Sequence, residues 1–207
     1  MFKFFSKNKD YFSQSGQDQF AYNISGDNGI YLEIGAHHPL VNSNTYNLEV
    51  ECGWKGLSVE FDKSFKKYWD NSEKRNNPII WEDAFKIDYL TSFDEYAFPK
   101  RINYLSCDIE PPKNTLEILK KIIDLGLSFD FISFEHDLYS SGDTYEKLSY
   151  DYLLSRGYKI GIRDVYSRSK KYKIYETWFV NEDIKFNEVA YENWKKNNYN
   201  KNRFKRA

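Results

Sequence analysis

The sequence predicts an α/β fold with a mostly parallel, Rossmann-like sheet, on three observations. Short apolar runs alternate with stretches of helical periodicity, the pattern of strand–helix units. The first apolar run ends in an acid and a glycine turn, as nucleotide-binding βαβ units do. The last two runs follow one another without a helix, so an antiparallel hairpin closes the sheet.

The strands are read in order from these runs. Residues 29–34 (GIYLEI) form the first, ending at Gly35, and residues 56–61 (GLSVEF) the second, after a turn at Gly53. Residues 78–81 (PIIW), 103–107 (NYLSC) and 129–134 (FDFISF) give the third, fourth and fifth. Residues 158–163 and 173–180 form the hairpin, joined by the polar stretch 167–171.

Helices are expected between the strands. Residues 44–52 carry Tyr46, Leu48 and Val50, and residues 63–69 carry Phe65, Tyr68 and Trp69. Residues 115–125 place Leu116, Leu119, Ile122 and Ile123 on one face. Residues 143–154 carry Tyr145, Leu148, Tyr152 and Leu153, with Gly157 as the C-terminal cap. The region from 83 to 103 reads as a short connection.

The 207 residues fit one domain, 1–207. Within it, residues 1–28 precede the first strand and residues 195–207 form a basic tail, which reads as a solvated end. Apolar residues are 41% and aromatics 19%, ample for a core. A formal net charge of -1 argues against a nucleic-acid or membrane-surface protein. Two cysteines, Cys52 and Cys107, make no disulfide framework. With no signal peptide and no apolar run near the ~20 residues of a membrane span, a cytoplasmic location is expected.

The first strand runs into Glu33-Ile34-Gly35-Ala36-His37-His38-Pro39. A dinucleotide site needs further glycines so that a pyrophosphate can approach backbone. Here two histidines and a proline occupy the turn. S-adenosylmethionine carries no phosphate and tolerates them, with Gly35 admitting its methionine part and Glu33 helping to hold it. The second strand ends in Glu60, 25 residues after Gly35, placed to hydrogen-bond both ribose hydroxyls. Phe61 is placed to pack on the adenine. Asp83 can accept from the adenine amino group, and Ala84 leaves room for the base.

The fourth and fifth strands end in Asp108-Ile109-Glu110 and Glu135-His136-Asp137. These neighbouring ends gather ionisable groups at the carboxyl edge of the sheet, where open α/β sheets bind ligands. His136 is the expected general base, since an imidazole with pKa ≈ 6.5 is largely neutral at pH 7. Glu135 or Asp108 would orient it or bind the acceptor, and Glu110 is the alternative base. Asp108, Glu135 and Asp137 are candidate ligands for a divalent metal, which the reading does not favour.

These blocks resemble the FkbM-type methyltransferase family. The matching stretches are Ser13-Gln14-Ser15-Gly16-Gln17-Asp18, Tyr31-Leu32-Glu33-Ile34-Gly35-Ala36, Ser43-Asn44-Thr45-Tyr46 and Gly53-Trp54-Lys55-Gly56 with Val59-Glu60. They continue with Leu105-Ser106-Cys107-Asp108-Ile109-Glu110, Glu135-His136 and Trp178-Phe179-Val180. The resemblance implies a class I S-adenosylmethionine-dependent methyltransferase domain. Cofactor contacts are implied at Glu33, Gly35, Ala36, Asn44, Thr45, Glu60, Asp83 and Asp108. The 13–18 block would add Gln14 and Gln17, making residues 1–28 a segment that covers the cofactor. It implies O-methylation, commonly of a sugar or a related natural-product hydroxyl; the few residues outside the core point to a small acceptor such as a sugar or sugar nucleotide. The family's first turn usually reads G-A-N-D-G, and its fourth strand D-x-E-G. Here His37 and His38 replace the one and Pro111 follows Glu110 in the other. Both departures lie on the acceptor side, where His37, His38 and Asp137 are expected to meet the substrate. An RNA methyltransferase and a non-catalytic cofactor-binding module are the alternatives.

Overall fold

Strand β1 (Ile30–Ile34) lies between β2 (Lys55–Val59) and β4 (Arg101–Cys107), parallel to both. The structure is a computed structural model that describes residues 12–167, 173–186 and 189. β3 (Ile79–Ile80) extends the sheet beyond β2, and β5 (Ser128–Glu135) extends it beyond β4, all parallel. β7 (Lys173–Asn181) then pairs antiparallel with β5, and β6 (Tyr158–Ser167) pairs antiparallel with β7 at the edge. The strand order is β3-β2-β1-β4-β5-β7-β6.

The central strands are buried on both faces, which is why they read as continuous apolar runs. Register aligns Leu32, Leu105 and Ile132 in one row and Tyr31, Tyr104 and Phe131 in the next. The Leu–Leu–Ile row belongs to a core filled by Leu116, Leu119, Ile122 and Ile123 of α5 (Pro112–Asp124) and Leu153 of α7 (Thr144–Leu154). The aromatic row belongs to the other core, with Phe20 of α1 (Gln17–Ser25), Leu48 of α2 (Tyr46–Cys52) and Trp178 of β7. Tyr104 and Phe131 stack with centroids 4.7 Å apart and planes 6° from parallel. One register step nearer the carboxyl edge, the next row is polar, made of Ser58, Glu33, Ser106 and Ser133. That row carries the sheet's contribution to the site.

Several elements differ from the sequence reading. Segment 1–28, expected as a covering strand of chain, contains α1, which starts at Gly16 in the left-handed region (φ 88°). The span 83–103 contains a 3₁₀ turn at Ala84–Lys86 and helix α4 (Tyr89–Glu95), whose Asp88 cap accepts from Thr91 N–H at 3.1 Å. The stretch 63–69 splits into a 3₁₀ turn (Lys63–Phe65) and α3 (Lys66–Asp70). A short α6 (Leu138–Ser141) follows β5. β2 ends at Val59, so Phe61 stands outside the strand. β6 continues to Ser167; residues 168–171 of the expected loop and the basic tail lie outside the described residues. None of the described helices is long and apolar enough to cross a membrane.

Candidate active site

A cavity of about 680 Å³ opens at the carboxyl edge of the sheet. It runs from the segment after β3, across the ends of β2, β1 and β4, to Glu176 of β7. Its walls include Gln14, Gln17, Glu33, Gly35, Ala36, Asn44, Glu60, Phe61, Asp83, Ala84, Asp108 and Glu110, all singled out in the sequence. His37, Asp62, Phe65, Glu82, Asn114 and Glu176 line it as well.

Gly35 has φ +85°, and a Cβ there would sit 1.7 Å from the backbone oxygen of Asp108. The glycine is therefore required by the approach of the β4 end as well as by the turn. Gly35 and Ala36 donate their N–H groups to Val59 O at 3.0 and 3.1 Å, which fastens the turn to β2. Beyond them His37 adopts a left-handed conformation (φ 48°) and packs on Phe65, with centroids 3.9 Å apart and planes tilted by 46°.

Glu60 closes the same turn. Its Oε2 accepts His37 N–H at 2.6 Å and its Oε1 accepts Asp62 N–H at 2.7 Å. Phe61, 72% exposed, stands at the rim beside it. Asp83 Oδ1 caps the 3₁₀ turn by accepting Phe85 N–H at 3.0 Å, and Ala84 is buried behind. Asn44 donates to Ser106 Oγ at 3.0 Å across the polar row.

Glu33 is buried, and its Oε2 accepts from Thr45 Oγ1 and Ser58 Oγ, each at 2.9 Å. Thr45 thus reaches the cavity through Glu33 and is not itself in the wall. Burial pushes the Glu33 carboxyl above its ordinary range, against the pull of the Arg75 guanidinium.

The α1 end of the wall is fixed from β7. Gln17 Nε2 donates to Glu176 Oε1 and Oε2 at 3.1 and 3.0 Å and to Tyr175 OH at 2.8 Å. Trp178 Nε1 donates to Glu176 Oε2 at 2.7 Å.

Four expected acceptor-side residues stand apart from the cavity wall. His136 is fully buried (0% exposed) with Nε2 3.1 Å from Thr177 Oγ1. Its backbone N–H donates to Tyr175 O at 2.8 Å, so β7 covers the end of β5 and takes the imidazole inside with it. Burial lowers its pKa below the ordinary histidine value. His38 Nδ1 accepts the N–H groups of Leu40 and Val41, both at 3.1 Å, and so caps the following turn. Glu135 and Asp137 are buried, Asp137 in a left-handed conformation (φ 46°).

The carboxylates that come together are Glu110, Glu135 and Asp137, with oxygens within 4.8 Å of one another. Asp108, expected in that trio, is not among them; Glu110 takes its place. Sequence reasoning missed Glu176 and Arg75. Glu176 faces Glu135 across the β5–β7 register, a pairing no local pattern displays.

No family model matches the chain, and no curated protein matches it. Solved structures do. A putative O-methyltransferase from Klebsiella pneumoniae aligns with TM-score 0.55 at 13% identity, covering 86% of this chain and 84% of its own. An O-methyltransferase from Bacillus cereus in complex with SAH gives 0.53 at 13% identity, covering 73% and 74%. Human methyltransferase-like protein 13, also with SAH, gives 0.52 at 13% identity, covering 87% and 85%. The chain has the Rossmann-like methyltransferase fold.

Proposed function

We propose that this chain is an S-adenosylmethionine-dependent O-methyltransferase, of the FkbM type by its motifs, acting on a small, uncharged hydroxyl compound such as a sugar. The observation that carries this reading is the cavity itself. It lies at the carboxyl edge of a methyltransferase-fold sheet and gathers Gln17, Glu33, Gly35, Glu60 and Asp83 in one wall. Similar folds occur in proteins solved with SAH, S-adenosylhomocysteine, the demethylated cofactor.

The donor set fits that cofactor. The lining acids are Glu33, Glu60, Asp62, Glu82, Asp83, Asp108, Glu110 and Glu176, and no lysine or arginine joins them among the described residues. Such walls suit a sulfonium and an amino group and oppose the phosphates of a nucleotide or RNA. For that reason we favour an uncharged sugar over a sugar nucleotide as acceptor. Glu33, Gly35, Ala36 and Asn44, with Thr45 behind, hold the methionine part. Glu60 takes the ribose hydroxyls, Phe61 and Ala84 flank the adenine and Asp83 accepts its amino group. Gln14 and Gln17 cover the cofactor from the α1 side.

The cofactor supplies an already activated methyl group, so the protein's share is orientation and proton removal. Glu110 and Asp108 flank the acceptor end, and Glu110 would take the hydroxyl proton as the methyl passes to that oxygen and its bond to the sulfonium sulfur breaks, leaving SAH. Glu110 is preferred to His136 because it lines the cavity. His37 and Glu176 contact the acceptor from the two sides.

Titration calorimetry with SAH tests the cofactor, and radiolabelled methyl transfer to neutral sugars, nucleotide sugars and RNA tests the acceptor. Binding of SAH and transfer to a neutral sugar are expected. Binding of NAD in its place, or transfer to RNA alone, overturns the reading.

A further inference from the structure

Arg75 lies outside every motif, in the segment between α3 and β3, yet it is 7% exposed. A guanidinium this deep must be fully partnered to be tolerated. Its Nη1 donates to Pro39 O at 3.2 Å and Ser43 Oγ at 3.1 Å. Its Nη2 donates to Thr45 Oγ1 at 3.0 Å and Tyr31 OH at 3.2 Å, and lies 3.5 Å from Glu33 Oε2. Nε sits 2.6 Å from Glu49 Oε2, an ion contact not aligned as a hydrogen bond. The guanidinium carbon lies 4.5 Å from the ring centre of Trp69, whose indole N–H donates to His37 O at 2.9 Å.

We propose that Arg75 is a positioning residue for cofactor binding, fixing the Glu33 carboxylate in the cavity wall directly and through Thr45. This rests on the S-adenosylmethionine reading above. The geometry supplies the reason. Arg75 reaches Glu33 directly and also through Thr45, whose hydroxyl accepts from Arg75 and donates to Glu33. Thr45, Ser58 and Arg75 all converge on Oε2, which leaves Oε1 to meet a cation in the cavity. The same guanidinium braces the 37–45 wall through Pro39, Ser43 and the Trp69–His37 contact.

Among the described residues, the charged and titratable groups facing Glu33 are Arg75, Glu49 of α2, Tyr31 of β1 and Tyr104 of β4. Burial pushes both tyrosines above their ordinary values, so they are neutral through the working range. Among the described residues, Arg75 is the cation that offsets the two carboxylates. Burial and Glu49 push Glu33 toward protonation, and Arg75 opposes both. A protonated Glu33 offers no charge to an ammonium group, so SAH affinity falls as pH drops through the Glu33 pKa.

The test is SAH titration calorimetry on wild type, Arg75→Met, Arg75→Lys, Glu49→Gln and Arg75→Met/Glu33→Gln between pH 5.5 and 8.5. Thermal melts confirm folding of each. In Arg75→Met the acid limb of SAH affinity should move to higher pH, about tenfold in affinity per pH unit on the limb. Arg75→Lys should restore most of the wild-type profile. Adding Glu33→Gln should abolish the pH dependence that Arg75→Met shifts. Glu49→Gln, which removes the second carboxylate from Arg75, should move the limb to lower pH, and it serves even if Arg75→Met does not fold. SAH binding by wild type with unmoved limbs in the Arg75→Met and Glu49→Gln variants overturns the inference. Failure of wild type to bind SAH overturns the functional reading instead.

Discussion

Glu60 Oε2 accepts the backbone N–H of His37 at 2.6 Å, so the acid at the tip of β2 holds the turn that ends β1. One side chain thereby shapes the wall and presents a carboxylate to it. Glu60→Ala should weaken SAH binding by ~1–3 kcal/mol, since hydroxyl partners and the His37 N–H are both left unmet. Calorimetry at pH 7.5 measures this directly. An unchanged affinity would remove Glu60 from the cofactor site.

Glu110 and His136 separate two accounts of proton removal. Glu110→Gln should lower turnover by roughly 10²–10⁴-fold with SAH affinity nearly unchanged. Turnover restored only by magnesium would instead assign the Glu110–Glu135–Asp137 trio to a cation.

His136→Ala should act on stability, costing about 2–4 kcal/mol for a buried ring and a broken Thr177 contact. Turnover per folded molecule should stay within several-fold of wild type; a drop of 10²-fold or more would return the base to His136. Its folded pKa is depressed by burial, so its stabilising effect is complete above the unfolded value of about 6.5. The effect is lost as pH falls below that value toward the folded pKa. Denaturant melts between pH 5 and 8 should show this loss in wild type and a smaller one in His136→Ala.

Asp18 has the opposite slope. Its carboxylate is fully buried and accepts from Ser13 Oγ, Gln19 N–H and Asn47 Nδ2 at 2.6, 2.8 and 2.9 Å. Burial outweighs these bonds and pushes its pKa up to about 6. The folded state therefore binds the proton more tightly than the unfolded one. Stability should fall as pH rises from about 4 to about 6, by on the order of 2–3 kcal/mol. Carbon-detected NMR titration of the carboxyl, with melts across that window, checks both; a titration midpoint near 4 would refute it.

Gly35→Ala should cost at least ~2 kcal/mol, because a Cβ at φ +85° would meet the Asp108 carbonyl. Urea unfolding measures the loss, and a neutral result would mean the β4 end yields freely.

The legible part of this protein is its sheet. β1, β2, β4 and β5 announce themselves because both their faces are buried. The residues just beyond their ends, such as Gly35, Glu60 and Asp108, inherit their places from the fold. α1 and α4 were hidden because each buries few apolar positions, Phe20 and Ala21 in one and Tyr89 and Phe93 in the other. His136, expected at the open edge, lies buried because β7 covers the end of β5, which the strand pattern does not reveal. Arg75 and Glu176 act through partners distant in sequence, Arg75 with β1 and α2 and Glu176 with α1. Such pairings are properties of register and packing, and local patterning carries no trace of them.

The Gln17–Glu176 contact spans 159 positions of the chain. A ribosome releases α1, β1 and β2 long before β7, so the emerging chain carries most of the cofactor wall without the piece that fastens its near side. The cavity wall is therefore complete only after the β6–β7 hairpin has docked against β5. A ligand arriving in that cavity cannot guide the early steps of folding. A ligand bound there would instead slow reopening of the completed sheet, tying α1 to β7 when both are in place.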